Sequence, residues 1–407
     1  MFLPVTDQSF QMIIRGMTST ESEYFRYSEV LRGQNTPLAF VDLERFDKNA
    51  REILRRAKGM PIRVASKSIR SIALIKRLLQ MPGYQGVLGY SGWEAIHLSR
   101  SGIKDVVVAY PVIQEKEIQA VAEENKKGSS IVLMVDRIEH LENIAKAVRL
   151  LSLKMQIAID LDVSSRWPML HFGVRRSSIF NEKTLGLFLQ ELKKHPELEL
   201  VGMMGYEAQI AGVQDSGPLM RFLKKLAIPS ITKSRQALVA QVKAGGHTLR
   251  FVNGGGTGSI ESTRLDSSVT ELAVGSGFYS PTLFEGYDQF HHDASAFYAL
   301  SVTRKPAEDI ATCFSGGYIA SGSVGKVKEP KPVLPAGLSL LTHEGAGEVQ
   351  TPVQGLSARN LKIGDLVFFR HAKAGELCER FNQLHLISGD RILDSVPTYR
   401  GEGCNFG

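Results

Sequence analysis

Cysteine is scarce in this sequence. Only three cysteines occur among 407 residues, Cys313, Cys378 and Cys404, and no two of them are spaced as Cys-x-x-Cys. Small disulfide-stapled folds carry an even set of cysteines at close spacings. The sequence therefore excludes a disulfide framework, and we expect the thiols to be reduced unless one of them binds a metal.

Long apolar runs and runs of one charge are also missing. No stretch approaches the roughly 18 apolar residues of a membrane-spanning helix. The formal net charge is +7, but no run of five or six basic residues marks a nucleic-acid-binding arm. Residues 1–19 carry charged and amide side chains where a signal peptide needs an unbroken apolar core. We therefore expect a cytoplasmic protein with neither a membrane nor a nucleic acid as partner.

The composition is that of a folded protein, with 43% hydrophobic and 22% charged residues. Between residues 60 and 275, short β-branched runs alternate with longer amphipathic segments, which is the pattern of βα units around a parallel sheet. The predicted strands are 61–65, 86–90, 105–110, 131–136, 155–162, 198–204, 249–253 and 271–275. Eight such repeats in this length predict a closed (β/α)8 TIM-type barrel rather than an open sheet.

Two segments lie outside the barrel pattern. A strand-like run at Leu38–Asp42 precedes a predicted helix at Leu43–Ala57. After about residue 286, short Val- and Leu-rich runs alternate with Gly and Pro turns. We therefore predict a barrel over residues 43–285, a second, mostly β C-terminal domain over 286–407, and an N-terminal segment over 1–42 that packs with the β domain.

Glycine clusters follow the last two predicted barrel strands. The seventh strand runs into Asn253-Gly254-Gly255-Gly256-Thr257-Gly258-Ser259, and the eighth runs into Gly275-Ser276-Gly277. Phosphate groups commonly bind at these two positions of a barrel. Glycine lets backbone N–H groups approach a phosphate closely, and the hydroxyl groups add donors. The two loops predict a phosphate site in preference to two flexible turns.

A lysine, Lys67, directly follows the first predicted strand. Such a lysine is either a surface residue or an amine whose pKa is lowered by desolvation and by positive neighbours, here Arg63 and Arg70, which makes it a Schiff-base nucleophile. A phosphate cradle and a nucleophilic lysine at one barrel mouth are what pyridoxal 5′-phosphate requires. A sugar-phosphate aldolase barrel uses similar parts, but it normally carries its lysine on a later strand and lacks an appended β domain.

Several stretches resemble a known group of enzymes. They are Arg63-Val-Ala-Ser-Lys67-Ser, Asp105-Val-Val-Val-Ala-Tyr110-Pro111, Gly202-Met-Met-Gly-Tyr206-Glu, the Gly254–Ser259 loop, and Gly364-Asp365-Leu-Val-Phe with Phe381-Asn382. With them, the chain from about residue 35 resembles the fold-type III pyridoxal phosphate enzymes of the alanine racemase N-terminal-domain superfamily. More narrowly, it is similar to the D-threonine aldolase and D-serine dehydratase branch, also called amino acid deaminase/aldolase.

The resemblance implies pyridoxal 5′-phosphate as cofactor, with Lys67 as the Schiff-base lysine. His171 stands where related enzymes place a cofactor-contacting arginine in an R-x-G-V pattern, although a lone histidine is often structural. Tyr206 matches a cofactor-contacting tyrosine, although a tyrosine at a strand end could equally fill the core. The cofactor-binding residues implied are Lys67, His171, Tyr206, Asn253, Gly254, Gly255, Gly256, Thr257, Gly258, Gly275 and Ser276.

The branch also carries a divalent metal in its β domain, held by a His-x-Cys or His-x-Asp pair shortly before an asparagine. This sequence departs from that pattern, because its segment reads His371-Ala-Lys373-Ala-Gly-Glu376-Leu-Cys378-Glu-Arg-Phe-Asn382. The metal ligands could be His371 with Cys378, Glu376 with Cys378, or absent. Histidine and cysteine suit zinc, whereas a carboxylate favours manganese. Without a metal, His371 and Lys373 would bind the substrate carboxylate, and Cys378 would be a small buried hydrophobic residue.

A second departure concerns acid–base chemistry. Members of the branch tend to have a histidine a few residues beyond the position of Tyr206, and none follows here until His247. Glu207, His171, His343 or a water would have to serve, so the sequence leaves the general base unassigned. The candidate catalytic residues are Lys67, Glu207 and His371.

The activity implied by the resemblance is that of a lyase acting on D-β-hydroxy amino acids. Retro-aldol cleavage would give glycine and an aldehyde, and loss of water and ammonia would give a 2-oxo acid. One alternative is an amino acid racemase, whose second base would be one of Tyr279, Tyr298, Tyr318 and Tyr399. Another is a non-catalytic pyridoxal phosphate carrier, against which the large β domain argues. The fold type also implies a homodimer.

Overall fold

The computed structural model describes residues 18–151 and 153–407, which form two compact units. The barrel unit contains Lys48–Phe278, Phe284–His292 and Gly403–Gly407. The β unit contains the described residues up to Asp47, together with Tyr279–Leu283 and Asp293–Glu402. The predicted packing of the N-terminal segment concerns residues 1–42, of which residues 1–17 lie outside the described part.

The strands are numbered in chain order. They are β1 (Leu38–Asp42), β2 (Ile62–Ala65), β3 (Tyr84–Gly89), β4 (Asp105–Pro111), β5 (Ser130–Val135), β6 (Met155–Asp160), β7 (Ser165–Trp167), β8 (Leu170–Phe172), β9 (Leu198–Gly205), β10 (Phe251–Gly254), β11 (Glu271–Val274), β12 (Ala296–Ala307), β13 (Ile310–Phe314), β14 (Lys331–Leu334), β15 (Ser339–Leu340), β16 (Gln350–Gln354), β17 (Leu366–Arg370), β18 (Gln383–Ser388) and β19 (Arg391–Pro397).

In the described ranges, one α-helix precedes β1, and the others occupy connections between strands. Their bounds are Ser19–Val30, Leu43–Ala57, Ile72–Leu79, Gly92–Arg100, Glu115–Lys126, Ile138–Val148, Glu182–Leu192, Ala208–Ala211, Gly217–Ala244, Ile260–Thr263 and Ser276–Tyr279. Among the residues that the structure describes, none of these helices combines the length and apolar character needed to cross a bilayer.

The predicted barrel is confirmed. Eight parallel strands close in the order β10, β11, β2, β3, β4, β5, β6 and β9, and closure is completed where Val274 of β11 pairs with Val64 of β2. The strands read as continuous apolar runs because helices and the barrel interior bury both of their faces. The interior is filled by side chains, among them Phe251, whose ring occupies the space that a Cβ on Gly202 would need. The barrel is therefore a packed core and not a pore.

Two features of the barrel unit were not anticipated. A short hairpin of β7 and β8 interrupts the connection after β6. The helix Gly217–Ala244 runs for 28 residues with Pro229 inside it. A proline removes one backbone donor and interrupts the helical pattern, which is why periodicity in the sequence did not reveal so long a helix.

The predicted β domain is also confirmed as a nine-stranded sheet. The strand β1 lies inside this sheet, where it pairs antiparallel with β12 and parallel with β18. The helix Ser19–Val30 begins with a capping box formed by Thr18 and Glu21, and it buries Tyr27 against the ring of Phe40 at a centroid distance of 4.8 Å. These contacts join the segment before the barrel to strands that follow it in the sequence.

Candidate active site

A cavity lies at the carboxyl ends of the barrel strands, where strands β2, β4, β6, β9, β10 and β11 end. It brings together eight of the predicted cofactor-binding residues: Lys67, Tyr206, Asn253, Gly255, Gly256, Thr257, Gly275 and Ser276. Gly254 and Gly258 belong to the same loop but do not line the cavity. Residues far apart in the sequence therefore meet at the edge where barrel enzymes place their chemistry.

Lys67 lies on a 3-10 turn, Ser66–Ser68, that directly follows β2. Its exposed amine donates a hydrogen bond to the hydroxyl of Tyr110, with 3.2 Å between Nζ and Oη. Arg70 stays close, since its Nε donates to the carbonyl of Lys67 at 3.1 Å. Tyr110 comes from the end of β4, so two barrel strands together orient the amine.

Arg63 does not act on Lys67 as the sequence suggested. Its guanidinium is buried in the barrel and forms ion pairs with Glu271 at 2.8 Å and with Asp105 at 3.0 Å. Because two carboxylates neutralise this cation, it contributes little positive potential at the amine of Lys67. The placement follows from position along the chain, since Arg63 is the second residue of β2 (Ile62–Ala65) whereas Lys67 lies on the turn beyond the carboxyl end of that strand.

The two glycine-rich loops lie against each other and against the lysine turn. The backbone N–H of Gly277 donates to the hydroxyl of Thr257 at 3.0 Å, and the hydroxyls of Ser68 and Ser276 lie 3.2 Å apart. A Cβ at Gly275 would lie 2.7 Å from the carbonyl oxygen of Ala65. Only glycine at position 275 allows the two backbone segments to lie so close. The edge of the cavity there consists of backbone and hydroxyl groups.

This lining fits pyridoxal 5′-phosphate. Thr257, Ser68 and Ser276 supply hydroxyl donors at the glycine side of the cavity, and Lys67 supplies an amine in the same cavity. Donors for a phosphate and an amine for an aldehyde are the two groups that this cofactor needs.

Tyr206 also lines the cavity, directly after β9. Burial, with the nearby charge of Glu207 adding to it, raises the pKa of Tyr206 to about 12. The phenol therefore stays protonated at neutral pH and can serve as a hydrogen-bond donor to a bound group.

Glu207 does not take the catalytic position that we predicted for it. Its carboxylate is 2% exposed and lies behind the glycine-rich loop, where it pairs with Arg235 at 2.8 Å and accepts hydrogen bonds from the loop. A carboxylate held by an arginine and by loop donors is not placed to accept a proton from a substrate in the cavity. The correction follows from Arg235, whose position inside a long helix could not be inferred from Glu207.

His171 lies outside the cavity that contains Lys67. It is on β8, its Nε2 is 3.1 Å from the carbonyl oxygen of Val174, and it lines a neighbouring polar cavity. Arg176 lines both cavities and forms no ion pair within the described ranges. The guanidinium near the cofactor cavity therefore comes from Arg176, five residues beyond the predicted position, because the β7–β8 hairpin displaces His171.

Asp160 is a site residue to which sequence reasoning gave no role. It ends strand β6 and lines the cavity together with Lys67. Burial raises the pKa of Asp160 to about 8, and the carboxylates of Asp136 and Asp162 add to this effect while Arg176 opposes it. Its position at the mouth end of a predicted strand is the signal that could have identified it.

The three predicted metal ligands, all in the β unit, do not share one set of contacts. His371 and Cys378 both contact Tyr279, with a ring-centroid distance of 6.4 Å for His371 and an Oη to Sγ distance of 3.9 Å for Cys378. The carboxylate of Glu376 instead accepts hydrogen bonds from the backbone and hydroxyl of Ser321. Within the described part of the chain, no group of three or more His, Cys, Asp or Glu side chains is arranged to hold a metal ion.

His371 is buried in an apolar setting. It is 3% exposed, and neither ring nitrogen has a hydrogen bond of good geometry to a described residue, although the backbone of Ala374 lies near. Burial, followed by the charge of Arg370, lowers the pKa of His371 to about 3. The imidazole is therefore neutral, which is the form that binds metals.

A parallel barrel with a lysine after its first strand and glycine-rich loops after its seventh and eighth fits the class of proteins that bind pyridoxal phosphate. Residues 41–281 match the family described as alanine racemase, N-terminal domain, and the chain belongs to this family. Pyridoxal 5′-phosphate is the cofactor expected for it.

Among proteins of known activity, the chain is similar to 3-hydroxy-D-aspartate aldolase of Paracoccus denitrificans (strain Pd 1222), with 25% identity over 243 residues. The match spans 59% of this chain and 59% of that relative. The structure of D-threonine aldolase from Filomicrobium marinum matches with a TM-score of 0.79 and 17% identity, over 91% of this chain and 96% of that one. D-threo-3-hydroxyaspartate dehydratase from Delftia sp. HT23 matches with a TM-score of 0.76 and 16% identity, over 91% and 99%. These structural matches show a shared fold.

Proposed function

We propose that this protein is a pyridoxal phosphate-dependent lyase that acts on D-β-hydroxy amino acids. The observation that carries the proposal is the cavity in which the amine of Lys67 and the two glycine-rich loops meet. The similarity to an aldolase that acts on a D-β-hydroxy amino acid supports the substrate class. When bound, the cofactor would draw electron density from Cα of the amino acid, so that a bond to that carbon can break.

Different residues of the cavity would bind the cofactor, move the proton on Cα and bind the substrate carboxylate. Thr257, Ser276 and the loop backbone would hold the phosphate, and the hydroxyl of Tyr110 would orient the Nζ atom of Lys67. When the amine of Lys67 is not bonded to the cofactor, it is a base that can take or return the proton on Cα. Arg176 would bind the carboxylate of the amino acid, since it is a cation in the cavity lining without an ion-pair partner in the described ranges.

Asp160 is the group that we assign to the β-hydroxyl proton. It lines the same cavity and, unlike Asp162, which pairs with Arg166 at 2.6 Å, it forms no ion pair with any described residue. A retro-aldol cleavage needs a base at that hydroxyl, and a base is most effective when its pKa lies near the working pH.

Replacing Asp160 with asparagine should lower kcat/KM by about 10²- to 10⁴-fold. The base is the ionised form, so activity of the unmodified protein should rise as pH increases through about 8, where Asp160 loses its proton. In D160N this ascending limb should disappear. The measurement is the pH dependence of kcat/KM from pH 6 to 10 by assay of the aldehyde product. The exposed Glu199→Gln variant serves as control, and an unchanged ascending limb in D160N would remove Asp160 from the mechanism.

The reaction itself is tested by product analysis with NMR. Purified protein with pyridoxal phosphate is incubated with D-threonine or 3-hydroxy-D-aspartate, in the presence of manganese, zinc or a chelator. Glycine with an aldehyde establishes the aldolase, and a 2-oxo acid with ammonia establishes the dehydratase. An L-epimer would show a racemase. No turnover, together with an intact Lys67-dependent Schiff-base spectrum, would contradict both lyase reactions and favour the carrier alternative. The implied homodimer stays a prediction, which light scattering tests.

We also propose that a divalent metal, if it binds, is held by His371 and Cys378 and not by Glu376. The buried, partner-poor ring of His371 and the thiol of Cys378 lie around Tyr279, and this pair of nitrogen and sulfur donors suits zinc. Calorimetric titration with zinc should show at least about tenfold weaker binding in His371→Ala and Cys378→Ala. Glu376→Gln should bind as the parent does, and loss of binding in that variant would reassign the site.

A further inference from the structure

A buried network of charges lies behind the glycine-rich loop after β10. Arg235 donates to the carboxylates of Glu207 at 2.8 Å and Asp266 at 2.9 Å, and to the carbonyl oxygen of Gly205 at 2.9 Å. The three charged side chains are 1–2% exposed. Removing two carboxylates and a guanidinium from water carries a large desolvation penalty, which can exceed the attraction between the ions. A network of this kind, directly behind the cavity, needs an explanation beyond stability.

The carboxylate of Glu207 is bonded to both ends of the loop. One oxygen accepts a hydrogen bond from the backbone N–H of Gly255 at 3.2 Å. The other accepts from the hydroxyl of Ser259 at 3.1 Å and from the hydroxyl of Thr263. The hydroxyl of Ser259 in turn accepts from the backbone N–H of Gly256 at 3.1 Å. Glu207 therefore sets the orientation of the peptide groups at Gly255 and Gly256, both of which line the cavity.

The loop has few side chains of its own that can hold this shape. It contains four glycines, and Gly255 adopts φ +85°, a conformation open to few other residues. Glycine has the most backbone freedom to lose when a loop is ordered. A loop that must present its backbone to a phosphate therefore gains from external hydrogen-bond acceptors that fix it before the ligand binds.

We propose that Glu207, held in place by Arg235 and assisted by Thr263, positions the loop Gly254–Ser259 for the phosphate of the cofactor. Glu207 is a positioning residue, because its carboxylate lies behind the loop and acts on the cavity through the peptide groups of Gly255 and Gly256. This inference rests on the proposed use of pyridoxal phosphate by the cavity. The network should therefore raise the affinity of the cavity for ligands that carry a phosphate, and not for those that lack one.

The test compares two aldehydes that differ only in that phosphate. Pyridoxal 5′-phosphate and pyridoxal are titrated into the purified protein, and Schiff-base formation at Lys67 is followed by visible absorbance. Glu207→Gln replaces an acceptor by a donor and keeps the size of the side chain, and Thr263→Val removes one hydroxyl. Each should weaken the affinity for pyridoxal phosphate by about tenfold, as expected for a lost hydrogen bond to a charged group. The affinity for pyridoxal should not change.

Two variants serve as controls. Thr263→Ser keeps the hydroxyl and should bind both aldehydes as the parent does. Asp215→Asn removes a carboxylate from another buried ion pair, with Lys224 at 2.7 Å, and should also leave the ratio of the two affinities unchanged. If Glu207→Gln does not fold, comparison of Thr263→Val with Thr263→Ser still tests the proposal.

Three results would contradict the proposals: two of them would overturn the positioning role of Glu207, and the third would overturn the proposed function. Unchanged affinity for pyridoxal phosphate in both Glu207→Gln and Thr263→Val would overturn the positioning role. Equal weakening for both aldehydes would also overturn it, because that result indicates a structural role. Failure of the parent protein to form a Lys67-dependent absorption band would overturn the proposed function itself.

Discussion

Replacing Lys67 with alanine should abolish the visible Schiff-base absorption of the protein with pyridoxal phosphate and should lower kcat/KM by about 10³-fold or more. The reason is that Lys67 supplies the amine of the cavity, oriented by Tyr110, both for holding the cofactor and for moving the proton on Cα. The measurements are an absorbance titration with the cofactor and an assay with D-threonine or 3-hydroxy-D-aspartate.

Lys76→Ala is the matched control, since Lys76 is an exposed lysine on the following helix, Ile72–Leu79. It should match the parent in both measurements. Lys67→Arg should retain the positive charge but lose the absorption band, because a guanidinium at neutral pH is not a nucleophile. A Lys67→Ala protein that keeps the band would move the Schiff base to another lysine and would remove the central residue of the proposed site.

Glu271→Ala should destabilise the barrel by about 3–5 kcal/mol. The side chains of Glu271 and Arg63 are 2% exposed and form a bidentate pair, with Nε to Oε1 at 2.8 Å and Nη2 to Oε2 at 3.0 Å. Removing the carboxylate leaves a buried guanidinium with only Asp105 to compensate it. Glu271 also accepts from the amide of Asn253 at 2.8 Å, so the variant should lose order at the start of the phosphate loop.

Urea unfolding followed by circular dichroism measures the change, with Glu52→Ala as control. Glu52 pairs with Arg55 on the surface of a helix, where solvent screens the pair, so its removal should change the free energy of unfolding little. Replacing both partners of the buried pair, Arg63→Met with Glu271→Leu, should recover much of the loss, because no unpaired charge remains. A Glu271→Ala loss no greater than that of Glu52→Ala would show that Asp105 and internal water suffice for Arg63.

The sequence predicts those features of the protein that depend on residues close together in the chain. Parallel barrel strands are buried on both faces and therefore read as apolar runs, and glycine clusters mark the loops where backbone must approach a ligand. Lys67 follows from the same reasoning, since it directly follows a buried strand. The role of Glu207 does not, because it depends on Arg235, which lies on a helix 28 residues further along the chain. The displacement of His171 depends on a hairpin too short to leave a periodic pattern.

Electrostatic environment is the other property that the sequence does not contain. Asp160 and Asp162 are two residues apart and chemically identical, yet Asp162 pairs with Arg166 whereas burial raises the pKa of Asp160 to about 8. Which of two such carboxyl groups is paired depends on side chains that fold back onto them. The mouth position of both residues could be predicted, but the chemistry of each could not.

The interior position of β1 in the nine-stranded sheet has a consequence for the order in which its partners are synthesised. This strand leaves the ribosome before the whole barrel, whereas its partners β12 and β18 emerge only after it. All five residues of β1 are buried in the finished protein, so until synthesis ends this segment presents two open edges and apolar side chains to the cell. A chain released before β18 would lack the parallel partner of β1, and that edge of β1 would stay open to pairing with another chain. The strand β1 therefore reaches its final pairing only after residues 383–388 have been synthesised.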